Sequence, residues 1–192
     1  MPLVQKGYPA PLKPYVAHGV DLQWHEGAKE AIADCPWCGK ERKWYVSVET
    51  GQWECKVCGE SGNAVIFLRK LWEASSTQGS EELAEQRGYL DFRGLTTWGV
   101  VRSALSGEWL IPGYSTSGEI VQLYRYVKDW RTGKMLLQVT PETHHGLFGV
   151  PLYDLKKPDV YLCEGVWDGI ALWEVLHGVK RDGERLAVTA NE

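Results

Sequence analysis

Between residues 44 and 49 the chain alternates, with Trp44, Val46 and Val48 apolar against Tyr45, Ser47 and Glu49. A period of two marks a strand with one buried face. Glu49-Thr50-Gly51-Gln52 supplies a turn, and residues 52–55 begin a return strand. Past Ser61, a candidate N-cap, the period lengthens. Ala64, Phe67, Leu68, Leu71 and Trp72 recur at helical spacing, in a stripe that can pack back on the sheet. Ahead of these elements, residues 1–14 carry four prolines and read as an extended arm, and residues 15–24 form a short amphipathic stretch.

Residues 75–80, Ser-Ser-Thr-Gln-Gly-Ser, are small and polar and predict a flexible linker. A second unit follows. Residues 81–87 read as a helix, 109–112 and 119–127 as strands, and 115–118 as the turn between them. Val160-Tyr161-Leu162-Cys163 is an apolar run bounded by Pro158 and Gly165, which predicts a buried strand with Cys163 in the core. Residues 170–176 are helical in pattern and 186–189 form another apolar strand, so the stretch predicts a βαβ unit. The fold class is therefore α+β: a small β-rich unit over residues 1–74, a linker over 75–80, and an α/β domain over 81–192. An apolar strand so close to Glu192 suggests that this domain is truncated.

Cysteine spacing changes the picture of the first unit. Cys35-Pro36-Trp37-Cys38 and Cys55-Lys56-Val57-Cys58 are separated by sixteen residues, a zinc-ribbon spacing. Each pair forms a knuckle that aims two thiolates at one point. Four thiolates complete a tetrahedral site with no open position, so Zn²⁺ here is structural and the chemistry must lie elsewhere. Disulfides or a redox Cys-x-x-Cys are the competing readings, and two matched knuckles with no signal peptide before them speak against both. The first unit is poor in apolar residues, and metal binding worth about 10–16 kcal/mol can supply what its core lacks. His18, His25, His144 and His145 have no spacing that competes with the cysteines.

The 192-residue chain has a net charge of −4. A protein that held duplex DNA mainly through its phosphates would be basic, so any nucleic-acid contact should be local or led by stacking. Ten tryptophans are many for this length, and several flank the knuckles. Trp37, Arg42, Lys43, Trp44, Tyr45 and Trp53 are the candidate contacts to single-stranded DNA. They fall on opposite faces of the ribbon, so some must be core. No apolar stretch has membrane-spanning length, and the cysteine usage points to a reduced, intracellular setting.

The candidate for chemistry is Cys163-Glu164-Gly165-Val166-Trp167-Asp168. Glu164 would end the buried strand, where sites form in open α/β sheets, and Asp168 lies in the first turn of the next helix. An ordinary strand–helix junction, its acid favoured by the helix N-terminus, accounts for the same residues. The order of the two motifs adds weight. A four-cysteine ribbon followed by strand, Glu-Gly-x-x-Asp and helix resembles DNA primases of the DnaG and bacteriophage primase–helicase families. In these a zinc-binding domain precedes an RNA-polymerase domain built around a TOPRIM fold. The stretch from Gly51 to Leu68 resembles the part that closes the metal site and opens its helix. The stretch from Gly118 to Arg125 is similar to the strand before TOPRIM, and Gly146-Leu147-Phe148-Gly149 to the short motif just ahead of it.

The resemblance implies a TOPRIM-type second domain whose first strand–helix–strand unit starts near residue 158. It implies that Glu164 and Asp168 are catalytic acids and that Arg125, or Lys134 if the register shifts, meets the triphosphate. It also implies Mg²⁺ as catalytic cofactor, a single-stranded DNA template, ribonucleoside triphosphates as substrates and a replicative helicase as partner. The all-cysteine ligand set is the phage-like pattern. The family's Asp-x-Asp motif would lie beyond Glu192, so the expected activity is RNA primer synthesis by a longer enzyme. A non-catalytic nucleic-acid adaptor with a degenerate TOPRIM-like domain is the alternative, and a TOPRIM nuclease or topoisomerase fragment a third reading.

Overall fold

A computed structural model describes residues 7–153, 156 and 159–179. The predicted alternation builds an antiparallel sheet in the order β1 (Glu30–Ala33), β2 (Trp44–Ser47), β3 (Trp53–Cys55) and β4 (Ser61–Gly62). Its register pairs Ala33 with Trp44, Trp44 with Cys55 and Trp53 with Gly62. Period two then sends Ala31, Ala33, Trp44, Val46, Trp53 and Cys55 to one buried face. Tyr45, Ser47 and Glu54 go to the other.

Helix α1 (Lys13–Ala17) and helix α2 (Ala64–Ala74) cover the buried face. Tyr15 meets Trp44 and Phe67 edge-on, with ring centroids 5.3 and 5.0 Å apart. The Tyr15 hydroxyl donates to the Gly51 carbonyl in the β2–β3 turn. Asn63, not Ser61, caps α2: its Oδ1 accepts from the Ile66 N–H at 3.0 Å. Ser61 is taken by β4, where it pairs with Glu54. An oxygen-bearing side chain two residues later caps equally well.

Helices α3 (Ser80–Arg87) and α4 (Phe92–Thr97) precede a second antiparallel sheet in the order β5 (Val101–Arg102), β6 (Trp109–Tyr114), β7 (Ile120–Lys128) and β8 (Met135–Val139). Pro112 is tolerated inside β6 because β5 pairs only with Leu110 and Trp109 and the next bridge on that side is at Tyr114, so Pro112 has no strand partner there. The two faces of this sheet serve two cores. Leu110, Leu123, Tyr114 and Ile120 join the ribbon residues and α2 in one core. Ile111, Tyr124 and Tyr126 join α3, α4 and α5 (Val166–Leu176) in the other.

Helix α2 thus packs on both sheets. Arg69 Nε donates to the Ile120 carbonyl at 2.8 Å, and Trp72 Nε1 to that of Gly99 at 2.8 Å. The segment expected as a linker is tied down at several points. The Ser76 N–H donates to the Arg102 carbonyl at 3.2 Å, the Ser75 hydroxyl to Leu71 at 2.6 Å, and Ser80 is buried.

Two expectations near the end of the chain change. Residues 160–163 are not a buried strand: nothing among the described residues pairs with them, Leu162 is 94% exposed, and Cys163 is exposed. An apolar strand is buried only by neighbours on both sides, and both described sheets are antiparallel sheets that end at β8 and β4. The strand expected over 186–189 lies outside the described residues. Gly146-Leu147-Phe148-Gly149, by contrast, has a clear packing role. Leu147 exchanges backbone hydrogen bonds with Tyr114, both at 2.8 Å. Phe148 packs on Tyr124 with centroids 4.6 Å apart. A Cβ on Gly146 would lie 2.4 Å from the Gly113 carbonyl carbon, so only glycine allows the two backbones to cross.

His18, at the C-terminal end of α1, is fully buried near Phe67, with its Nε2 2.8 Å from Thr140 Oγ1. Burial, and then the nearby Arg125 charge, push its pKa down to about 3. The unfolded chain therefore binds a proton that the folded chain refuses between about pH 6.5 and 3. Stability held at neutral pH is lost as pH falls through that window. Thermal melts of zinc-loaded protein between about pH 7.5 and 6, above the range where the metal is released, should show Tm falling with acid, and His18→Phe should flatten that slope. An unchanged slope would count against neutral burial of this ring.

Candidate functional site

The two knuckles are built alike. Cys35 N–H donates to the Lys40 carbonyl at 3.0 Å, and Gly39 N–H to that of Cys35 at 2.9 Å. Cys55 and Glu60, then Gly59 and Cys55, repeat the pattern at 2.8 and 3.1 Å. Gly39 and Gly59 take left-handed backbone angles, φ 67° and 76°, that make each turn tight enough to bring its two thiols together. Cys35 and Cys55 are buried in the aromatic core, and Cys38 and Cys58 lie at the surface.

All four Sγ atoms lie within 4.8 Å of one another. Cys35 to Cys58 measures 3.9 Å and Cys38 to Cys55 3.8 Å. A tetrahedron with Zn–S bonds of about 2.3 Å has edges of about 3.8 Å, so the residues present fit Zn²⁺. Burial pushes the Cys35 thiol up to about 12. At Cys55 burial acts in the same sense, but N–H groups of Cys58 and Val57 and the neighbouring thiols outweigh it and bring that thiol down to about 7. A bound dication would make all four thiolates the favoured form.

The candidate nucleic-acid residues divide. Trp44 and Trp53 are core, with centroids 5.5 Å apart; Trp44 leaves the interaction face, and Trp53 shows only an edge to it. Trp37 is half-buried against Phe67, with Lys70 Nζ 5.6 Å above its ring. Tyr45 stands on the outer face beside Lys56, and Arg42 and Lys43 are exposed nearby. Across that face Ile32, Tyr45, Glu54 and Ser61 form one cross-strand row. A groove of about 490 Å³ runs over it, lined among others by Glu30, Tyr45, Ser47, Gln52 and Asn63. Strand alternation already assigned Tyr45 and Trp44 to opposite faces. Which face met solvent depended on α1 and α2.

The candidate catalytic residues are not brought together. Arg125 Nη1 donates to the Ala17 carbonyl and to Glu108 Oε2 at 3.2 Å, and Nη2 to Gln138 Oε1 at 2.8 Å. Its side chain is only 11% exposed. It therefore clamps α1 to the second sheet, and it does so from the face of β7 opposite Tyr124 and Tyr126. Helix α5, which Glu164 precedes, packs on the Tyr124 and Tyr126 face. Lys134 is exposed at the start of the β7–β8 return. Glu164 is exposed, and Asp168 is exposed in the first turn of α5. Among the described residues the four cysteines are the sole group of three or more metal-ligating side chains, so no third acid joins Glu164 and Asp168 there. His25, His144 and His145 are exposed.

No family model matches the chain, and no curated protein matches it. Among solved structures, it is similar to the crystal structure of the Aquifex aeolicus primase zinc-binding and RNA polymerase domains. Identity is 12%, the match covers 78% of this chain and 56% of that one, and the TM-score is 0.32. The chain thus spans little more than half of that structure's length. No described helix is long and apolar enough to cross a membrane.

Purified protein should carry one Zn²⁺ per chain by elemental analysis. Cys55→Ser should lose most of it and melt at lower temperature, since Cys55 is both ligand and core. Because thiolates must shed protons to bind metal, acidification below about pH 6 should release the ion. Zinc retained by Cys55→Ser, or binding independent of pH, would contradict a four-thiolate centre.

Proposed function

We propose that this chain is the template-reading ribbon and leading polymerase segment of a DNA primase, which makes RNA primers on single-stranded DNA. The observation that carries the reading is the preassembled four-thiolate cluster beneath a sheet whose outer face presents Tyr45 beside a polar groove. Such a face suits an unpaired strand: a ring for stacking, amide and hydroxyl groups for base edges, and Arg42, Lys43 and Lys56 for phosphates. The motifs that resemble the primase families support the same reading. In it Glu164, with Asp168, helps to hold Mg²⁺, which supplies charge stabilisation for nucleotidyl transfer from ribonucleoside triphosphates. The remaining acids would come from outside the described residues, and a replicative helicase would be its partner.

A non-catalytic adaptor that binds nucleic acid is the second reading. It is favoured by the exposure of Glu164 and Asp168, with no third acid beside them among the described residues, and by the engagement of both terminal nitrogens of Arg125.

Anisotropy titration of labelled single strands against zinc-loaded protein tests the template face. Tyr45→Ala should weaken binding about five- to a hundredfold, the range of one lost base stack. Binding should prefer single strands to duplex and depend only modestly on salt. Preference for duplex with a steep salt slope would sink the stacking face.

The two readings part at catalysis. In the full gene product, Glu164→Gln should abolish Mg²⁺-dependent primer synthesis while zinc content and melting stay near wild type. Near-normal synthesis in that variant would remove Glu164 from the site, and a full gene product that makes no primer would leave the adaptor.

A further inference from the structure

Arg87 is the last residue of α3, and its guanidinium lies among three aromatic rings. Nη1 donates to the Tyr126 hydroxyl at 3.0 Å and Nη2 to that of Tyr89. The guanidinium carbon stands 4.6 Å from the Trp167 ring centroid, 5.1 Å from Tyr89 and 5.7 Å from Tyr126. Trp167 in turn meets Tyr126 edge-on, with centroids 4.9 Å apart. Trp167 adjoins Asp168 in the first turn of α5, three residues past Glu164.

The rest of α5 has other anchors. Val166 and Ile170 are buried in the second core. Gly169 lies flat on Trp98, where a Cβ would come within 2.7 Å of the indole. Glu174 is buried and accepts from the Asp91 N–H at 2.8 Å, at the start of α4. The first turn has no side-chain cap at Gly165, and residues 160–164 are exposed, with no strand partner among the described residues. Its outer side is therefore held by Trp167 between Tyr126 and Arg87. Lysine could not replace this arginine, because an ammonium neither stacks flat on an indole nor bridges two hydroxyls in a fixed plane.

We infer that Arg87 is a positioning residue, which orders the first turn of α5 and with it the segment carrying Glu164 and Asp168. Its catalytic consequence rests on the primase reading, but the ordering itself does not. Amide hydrogen exchange, followed by mass spectrometry on the zinc-loaded chain, measures it directly. In Arg87→Ala, peptides covering residues 166–174, where the Gly169 N–H begins the helical hydrogen bonds of α5, should exchange about tenfold faster, while those covering 44–68 stay unchanged. Arg87→Lys should give only partial protection. Tyr126→Phe, which keeps the ring and removes one acceptor, should give a smaller increase in the same peptides and guards against a poorly folded alanine variant. Unchanged exchange over 166–174 in both Arg87→Ala and Tyr126→Phe, or an equal rise across the whole chain, would overturn the assignment. In the full gene product, Arg87→Ala should also lower kcat more than it raises KM. If exchange responds as expected but neither Arg87→Ala nor Glu164→Gln alters primer synthesis, the catalytic reading fails and the positioning role stands.

Discussion

Four thiols drawn within 4.8 Å of one another are the constraint on which the first half of the chain depends. Four negative charges at that spacing repel strongly, and four protonated thiols would gain little from meeting. A dication reverses the sign. Cys35 and Cys55 belong to the same core as Trp44, Trp53 and Phe67, so the metal centre and the aromatic packing are one structure. Removing either should weaken the other, which is the coupling of metal binding to folding seen in small metal-stapled units.

The core does not stop at the ribbon. Helix α2 buries Phe67, Leu68 and Leu71 among residues of both sheets, and its polar edge reaches the second sheet through Arg69 and Trp72. Arg125 and His18 complete this join at the C-terminal end of α1. Single surface ion pairs contribute little, but a largely buried arginine that satisfies a carbonyl, a carboxylate and an amide at once is expensive to disrupt. The interior position of Arg125 therefore assigns it to architecture and removes it from the group of cations free to meet a phosphate.

At the other face of the second sheet the balance differs. Helix α5 is well anchored, yet the apolar residues 160–163 shortly before it are exposed and find no strand partner among the described residues. Segments with few buried contacts sit at the low end of local stability. Glu164 thus lies at the boundary between a fixed helix and a segment that makes little use of its own apolar side chains.

The zinc ligands, the alternation of β2 and the stripe of α2 were legible because each is a local pattern. Cysteine spacing, period two and period 3.6 survive without knowledge of what packs against them. The strands at 109–112 and 119–127 and the helix at 81–87 were legible for the same reason. Helix α4, with six residues, and β8, whose side chains are largely exposed, carry too weak a period to be read. The tertiary structure decided what depends on partners. It sent Trp44 and Trp53 inward and Tyr45 outward, because α1 and α2 cover only one face of the ribbon. It moved the cap from Ser61 to Asn63, because β4 claimed the serine. It buried Arg125 and left residues 160–163 in the open, because burial is set by what surrounds a residue and the apolar pattern of a segment does not specify its neighbours.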